Sequence, residues 1–315
     1  MPDIQSSEKV KFAGSIHQKN DISAIAAFHD FLVIGSDESK DVIQLLHKQD
    51  QGYSVVLDIS VSSDENGVGE IDIEGLSVDT EGMLYVIGSH SAKRKTIKDK
   101  NTYLANRQRL ATVVQETQRN TIFKLELNPE TGQVMKRAAN TQLRTVLEQD
   151  IVLHRFLDLP SKENGIDIEG LAVHEEKLYL GFRGPVLRGN YVPVMVTEFE
   201  DLLDYELRYV QLAGHGIRDI TRVKNGFLLI AGPVGDGLGP YQLYFWNGQD
   251  MIPGIDRPDT SSFCQWIGDI PLPKTYPGAK AEGLTVLKEK GKTITAMIVY
   301  DGVPNGAPTV FKIKR

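Results

Sequence analysis

Short stretches that alternate apolar and polar residues recur along the chain and are separated by turn-forming residues. Residues 121–127 are one such stretch, and they end at the turn sequence Asn-Pro-Glu-Thr-Gly at 128–132. A period of two places successive side chains on opposite faces of a strand. Together with 29 glycines and 14 prolines, this pattern predicts a β protein with many turns.

The strand patterns are organised in repeats. The sequence Asp-Ile-Glu-Gly-Leu occurs at 72–76 and again at 167–171, and weaker copies extend the series. The five units open at residues 21, 72, 167, 217 and 280, with spacings of 51, 95, 50 and 63 residues. A period of about 50 residues matches one four-stranded propeller blade. The sequence therefore predicts an all-β fold, a single β-propeller domain over residues 1–315 with five blades.

The 95-residue spacing leaves a six-bladed propeller as the alternative. Residues 101–118 carry apolar residues at helical spacing among charged ones, which favours a helical insertion in the second blade instead. Residues 140–149 show a second helical pattern. The last unit has three strand patterns, and an unassigned strand pattern lies at 9–16. We expect this N-terminal strand to close the last blade, because closure removes exposed sheet edges.

Acidic residues share one face of the strands that open the units. In unit two, Glu70, Asp72 and Glu74 alternate with Ile71 and Ile73. The isoleucines are expected to pack between blades, and the acids are expected to face the propeller axis.

Alignment of the five openings predicts two rings of residues around the axis. One ring contains Ser23, Glu74, Glu169, Asp219 and Glu282, and the other contains Asp21, Asp72, Asp167, Ile217 and Lys280. Two unit charges 4 Å apart repel by about 4 kcal/mol at an effective dielectric constant near 20. Raised pKa values, pairing with Arg218 and Lys280, or a bound cation would each relieve this repulsion.

A cation is the alternative that implies chemistry. Carboxylate oxygens suit a hard ion, and Ca²⁺ is the expected cofactor on this interpretation. The candidate metal ligands are Glu74, Glu169, Asp219, Glu282, Asp72 and Asp167.

Two arginines and one histidine are the candidate catalytic residues. Arg183 and Arg188 lie in a Gly- and Pro-containing stretch after the second strand of unit three. They are expected either to hold an anion as a fork or to pair with the ring acids. His90, between two serines at the matching point of unit two, is a candidate proton carrier. A small anionic ligand is the partner that this set predicts.

Composition limits the other partners and the compartment. The net charge of −7 argues against a nucleic-acid surface, and no apolar run approaches the ~18 residues of a membrane span. The lone Cys264 cannot form an intrachain disulfide. The first 18 residues lack the apolar stretch of a signal peptide, which predicts a cytoplasmic protein, although a processed periplasmic chain would read the same.

Several of these motifs together resemble a known family. The two pentapeptides, Gly-Ser-His-Ser at 88–91 and Phe-Arg-Gly-Pro-Val-Leu-Arg-Gly at 182–189 resemble a bacterial family of unknown function. That family resembles the esterase-like domain related to phytases, which is a β-propeller. The resemblance covers residue 20 to the end and implies a propeller.

The resemblance also bears on the site. In calcium-dependent propeller hydrolases a Glu before Gly at a blade start binds the metal. The resemblance therefore implies that Glu74, Glu169 and Glu282 are metal ligands. Two functions stay open at this point. One is a metal-dependent hydrolase of phosphate or carboxylic esters, and the other is a non-catalytic propeller that binds a protein or a small ligand.

Overall fold

The five repeat units fold into five β-sheets in the computed structural model of the protein, which describes residues 3–63 and 69–314. The first strands of the sheets contact one another in sequence order, and the fifth contacts the first. This contact closes a ring. The fold is therefore an all-β propeller with five blades, and the sixth blade that the long spacing allowed does not form.

The strands are numbered in chain order. They are β1 Asp3–Lys9, β2 Phe12–Ala13, β3 Ile22–Phe28, β4 Phe31–Ser36, β5 Val42–Gln49, β6 Gly52–Ser60, β7 Ile73–Val78, β8 Met83–Gly88, β9 Ala92–Arg94, β10 Val113–Gln115, β11 Ile122–Leu127 and β12 Val134–Asn140. They continue as β13 Asp167–His174, β14 Lys177–Gly184, β15 Tyr191–Glu198, β16 Tyr205–Gln211, β17 Gly216–Val223, β18 Gly226–Gly232, β19 Gln242–Trp246, β20 Cys264–Asp269, β21 Lys280–Lys290, β22 Thr293–Asp301 and β23 Thr309–Lys314.

Each blade is one antiparallel sheet built from consecutive strands. Blade one contains β3 to β6 with β2 at its outer edge, blade two contains β7, β8, β11 and β12, blade three contains β13 to β16, blade four contains β17 to β20, and blade five contains β21 to β23 and β1. The first strand of every unit is the innermost strand of its blade. This position agrees with the expectation that the acidic side chains of these strands face the propeller axis.

The N-terminal strand closes the last blade, as expected. It pairs antiparallel with the last strand, so that Asp3 lies opposite Lys314 and Lys9 opposite Thr309. Its position at Asp3–Lys9 differs from the predicted range of 9–16. After β1, the predicted range contains only the short strand β2, which pairs in parallel with β6. Strand β2 ends at Ala13 because Gly14 takes a left-handed φ of 92°.

The insertion in blade two is part helix and part strand. Helix α1 spans Tyr103–Ala111, shorter than the predicted 101–118, because Val113–Gln115 pairs instead with Ala92–Arg94 to form a two-stranded ribbon. The β-branched Val113 and Val114 favour the strand. No residue of α1 is buried, so the helix projects from the blade.

Helix α2 spans Leu143–Gln149 and confirms the second helical pattern. Its buried residues Leu143, Val146 and Leu147 pack into the apolar core between blades two and three. Short 3₁₀ turns complete the described structure at Thr117–Arg119, Leu153–Phe156, Ser161–Glu163 and Pro304–Gly306.

Neighbouring blades enclose separate apolar cores. Ile73 belongs to the core between blades one and two, and Ile168 belongs to the core between blades two and three. The isoleucines of the repeated pentapeptide therefore pack between blades, which leaves the adjacent acids to face the axis. None of the helices in the described part of the chain has the length and apolar character needed to cross a bilayer.

Candidate functional site

Every innermost strand carries a β-bulge at the same point. The inserted residue has no partner in the second strand of its blade, and a bulge of this kind redirects a side chain. The inserted residues are Ser23, Glu74, Glu169, Arg218 and Glu282. Three of them, Glu74, Glu169 and Glu282, line a cavity at the centre of the ring. The repeated pentapeptide is thus the sequence of a bulge that presents its glutamate to the channel.

The bulge in blade four shows that the predicted alignment of unit four is wrong by one residue. Ile217 pairs with Ala231 and Asp219 pairs with Ile230, so Arg218 is the residue that corresponds to Glu74. Asp219 takes the place of a glycine. One ring position therefore carries a cation where the sequence alignment placed a carboxylate.

Asp219 uses both carboxylate oxygens on the backbone. Its Oδ1 accepts a hydrogen bond from the N–H of Ile220 at 2.7 Å, and its Oδ2 accepts one from the N–H of Leu284 in blade five. Burial raises the pKa of Asp219 well above its usual range. This residue links two inner strands and is absent from the groups of carboxylates whose oxygens lie close enough to share an ion.

Three buried arginines neutralise most of the ring acids. Arg218 contacts Glu282, and its Nε lies 2.9 Å from Glu169. Arg183 contacts Asp167, and its Nη1 lies 2.7 Å from Glu169. Pairing with basic residues therefore relieves part of the repulsion between the acids of the channel.

Arg119, which sequence reasoning missed, neutralises the acids of blade two. It contacts Asp72 and Glu70, and its Nε lies 2.8 Å from Glu116. It is the last residue of a 3₁₀ turn at the end of the insertion. Since the other blades lack this insertion, the repeat alignment offers no signal for it.

Glu74 and its neighbour Asp37 have no basic partner among the described residues. Glu74 belongs to two groups of acids whose oxygens lie within 4.8 Å of one another, one with Asp37 and Asp72 and the other with Asp167 and Glu169. In the part of the chain that the structure describes, no cationic side chain lies within 4.0 Å of either Glu74 or Asp37. One Oδ of Asp37 is buried and has no hydrogen-bond partner among those residues.

The unpaired acids carry perturbed pKa values. Burial, reinforced by the charge of Glu169, raises the pKa of Glu74 well above its usual range. Burial, followed by the charges of Asp301 and Asp72, raises the pKa of Asp37 to about 8. Burial also raises the pKa of Asp167 to about 7, against the opposing effect of Arg183. These channel acids therefore lose their protons less readily than free carboxylates.

These shifts predict that the metal-free protein becomes less stable as pH rises. Asp37 keeps its proton up to about pH 8 in the folded state but loses it near 3.8 when unfolded, so the folded state binds more protons between these values. The free energy of unfolding should fall across this interval. Thermal unfolding in the presence of a chelator, from pH 5 to 9, measures it.

Asp37→Asn is the matched variant for this pH dependence. It should flatten the profile and raise the unfolding temperature at pH 8, because the substituted amide cannot ionise. A profile that keeps the slope of the unmodified protein would contradict the assignment.

The remaining predicted catalytic residues do not line the cavity. His90 is buried, and burial lowers its pKa to about 4, so the ring is neutral at physiological pH. Its Nδ1 bonds the carbonyl of Gly88 at 2.8 Å. Arg188 is exposed on the loop that follows β14, whereas Arg183 lines the cavity. The structure thus brings Arg183 to the site and leaves His90 and Arg188 away from it.

Two residues beside the channel have strained backbone conformations. Asp72 and His90 adopt left-handed φ angles of 59° and 56°, which cost free energy for residues with a side chain. They are joined through Ser89, whose N–H donates to the carbonyl of Asp72 at 3.1 Å. The hydroxyl of Ser89 also donates to the carboxylate of Asp72. Ser89 therefore helps to position Asp72, and the ring of His90 forms a hydrogen bond within the same turn.

The cavity opens beside the insertion. Its volume is about 510 Å³. Its depth is lined by ring acids, and its rim is formed by the ribbon of the insertion and by Pro160–Glu163. Leu110 and Pro160 contribute apolar surface to the wall. A small molecule fits such a cavity, which is in the size range of ligand pockets.

The fold and the site define a five-bladed β-propeller with an acidic central cavity. Residues 21–307 match a family described as protein of unknown function, DUF3616, and the chain belongs to that family. The match confirms the resemblance to a family of unknown function. It gives no support to a relation with the esterase-like domain of phytases.

Other comparisons concern the fold alone. No curated protein matches the chain. A hypothetical protein from Leishmania major is 9% identical over 99% of this chain and 91% of its own, with a TM-score of 0.46. An exo-β-1,3-galactanase from Phanerochaete chrysosporium is 9% identical over 98% of this chain and 64% of its own, with a TM-score of 0.47. The chain spans only 57–61% of the length of three further matched structures, which include the Dos1 propeller.

Proposed function

We propose that the protein is a metal-dependent hydrolase of phosphate or carboxylic esters, with its ion held at Glu74. The observation that carries the proposal is the position of this carboxylate. It lies where two groups of acid oxygens meet, and it lacks the arginine contact that its neighbours have. A divalent cation would supply the missing positive charge.

The residues present fit a hard cation. Asp37, Asp72 and Glu74 offer carboxylate oxygens within 4.8 Å of one another, and no histidine or cysteine belongs to either group of acids among the described residues. Oxygen ligands suit Ca²⁺, Mg²⁺ or Mn²⁺, whereas zinc sites favour nitrogen and sulfur. The buried oxygen of Asp37 that has no hydrogen-bond partner is available as a ligand.

The surrounding residues would hold this group in place. Arg119 and Ser89 both contact one carboxylate oxygen of Asp72 and fix its direction. Arg183 fixes Asp167 and Glu169 on the opposite side. A bound cation would polarise an ester oxygen and lower the pKa of a coordinated water. The half of the cavity towards the rim leaves room for the substrate.

Metal removal tests the proposal. Calorimetric titration of chelator-treated protein with Ca²⁺, Mg²⁺ and Mn²⁺ should show one ion bound per chain. Turnover of p-nitrophenyl phosphate or p-nitrophenyl acetate should require that ion and should stop on addition of EDTA. Turnover that persists in EDTA would contradict the proposal, because the reaction would then not depend on a metal ion.

A non-catalytic ligand-binding propeller is the second candidate. The burial of His90 away from the cavity favours it, since the predicted proton carrier is not at the site. On this alternative the cation binds as above, but neither ester is hydrolysed with any of the three metals. The same titration and assays therefore separate the two functions.

A further inference from the structure

The charged side chains that line the cavity are paired, with few exceptions. The cationic ones and their carboxylate partners are Lys93 with Glu70 and Glu116, Arg94 with Glu163, Arg119 with Asp72, Lys162 with Asp236, Arg183 with Asp167, and Lys280 with Asp301. Lys95 is the exception among the cations. In the described part of the chain, no carboxylate lies within 4.0 Å of its ammonium group, although Lys95 lines the cavity.

The ribbon of the insertion fixes the backbone of Lys95. Its N–H donates to the carbonyl of Thr112 at 3.0 Å, directly after the last residue pair of the ribbon. The next residue, Thr96, accepts a hydrogen bond from Arg109 of α1. On the other side, Arg94 contacts Glu163 and so anchors the ribbon to the opposite rim. Lys95 is exposed, but its main chain is held at the cavity mouth.

The cavity therefore carries charged groups of both signs that have no ion-pair partner among the described residues. Asp37 and Glu74 lack a cation in its depth, and Lys95 lacks an anion at its rim. An ammonium group presents three donors and recognises carboxylate and phosphate oxygens. Leu110 and Pro160 line the same cavity and offer apolar contact to the uncharged part of a ligand.

We propose that Lys95 is the residue that binds the anionic group of the substrate, and that the substrate is a small ester carrying a phosphate or carboxylate. The assignment of an ester rests on the proposed function, whereas anion binding by Lys95 does not. The insertion in blade two then has a role: it supplies the cation that selects the ligand. Lys95 is thus a specificity-determining residue, separate from the groups that would hold the metal.

Binding of two simple anions tests the proposal directly. Inorganic phosphate and malonate, titrated calorimetrically into the chelator-treated full chain at low ionic strength, represent the two anion classes. Lys95→Met should weaken binding of the preferred anion about tenfold, which corresponds to the loss of one charge-assisted contact. Lys98→Met is the matched control, because Lys98 lies on the same insertion but does not line the cavity, and it should leave the affinity unchanged.

Kinetics provide a second measurement when the enzyme turns over. For the metal-loaded Lys95→Met variant, the ratio of kcat/KM for mono-p-nitrophenyl succinate, an ester with a free carboxylate away from its reacting group, to that for p-nitrophenyl acetate should fall about tenfold, and the change should lie in KM. A merely structural role of Lys95 would change both substrates alike.

Each outcome decides the proposal. Loss of anion affinity in Lys95→Met but not in Lys98→Met supports it, even if no ester is hydrolysed and the hydrolase assignment fails. Failure of both anions to bind the unmodified protein overturns it, as does equal affinity of the two lysine variants. Preference for phosphate or for malonate identifies the anion class of the substrate.

Discussion

Replacing Arg218 by methionine is expected to destabilise the protein by about 3–5 kcal/mol, the usual cost of removing one partner from a buried ion pair. Arg218 is 3% exposed and contacts both Glu169 and Glu282. Without it, two buried carboxylates from different blades lose a shared cation. Urea denaturation followed by circular dichroism measures the change.

Arg188→Met is the matched control for this prediction. Arg188 is exposed, so its loss should change the free energy of unfolding by no more than about 0.5 kcal/mol. The double variant Arg218→Met with Glu282→Gln should recover part of the lost stability, because one of the two buried carboxylates that lost Arg218 no longer carries a charge. Equal effects of the two arginine variants would show that Arg218 does not hold the ring.

Replacing Glu74 by glutamine is expected to have opposite effects on metal binding and on the stability of the metal-free protein. Affinity for the divalent cation should fall by at least about 100-fold, because the carboxylate common to both acid groups is lost. The metal-free variant should unfold at a higher temperature than the unmodified protein at neutral pH. Its amide carries no charge, and it can donate hydrogen bonds to the acids that raise the pKa of Glu74.

Calorimetry and thermal unfolding with and without metal check both parts. Glu38→Gln is the control, since Glu38 also lines the cavity but is exposed at its rim and lies in neither acid group. It should leave both quantities close to those of the unmodified protein. A Glu74→Gln variant that binds the cation normally would refute the site, whereas a drop in stability without metal would show that Glu74 has an unrecognised partner.

The blades could be predicted because their sequence signals are local. The alternation of Ile71 and Ile73 with acids and the spacing of the unit openings were enough to find the five innermost strands. The bulge in those strands could not be read from a single sequence, because it is a matter of pairing with the second strand. For this reason the repeat alignment of unit four is one residue out of register, and it places Arg218 beside the ring rather than in it.

The site was less predictable because part of it lies outside the repeats. Arg119 and Lys95 come from the insertion, and their positions depend on how the ribbon of Ala92–Arg94 and Val113–Gln115 turns back towards the channel. His90 follows a strand end that points at the channel, yet its left-handed backbone directs the ring into the interior. Glycine at that point would have signalled the conformation, whereas histidine does not.

The pairing of β1 with β23 has a consequence for synthesis on the ribosome. Asp3 and Lys314 are neighbours in one sheet although they stand at opposite ends of the described chain. The first strand emerges early and must wait, unpaired, until its partner Thr309–Lys314 has left the exit tunnel. Until then blade five lacks its two outer strands, and apolar residues of the core that it shares with blade four, such as Ile294 and Ala296, stay open to chaperones. Nascent chains stalled before residue 309 should therefore remain sensitive to protease in blade five, whatever the state of blades one to three.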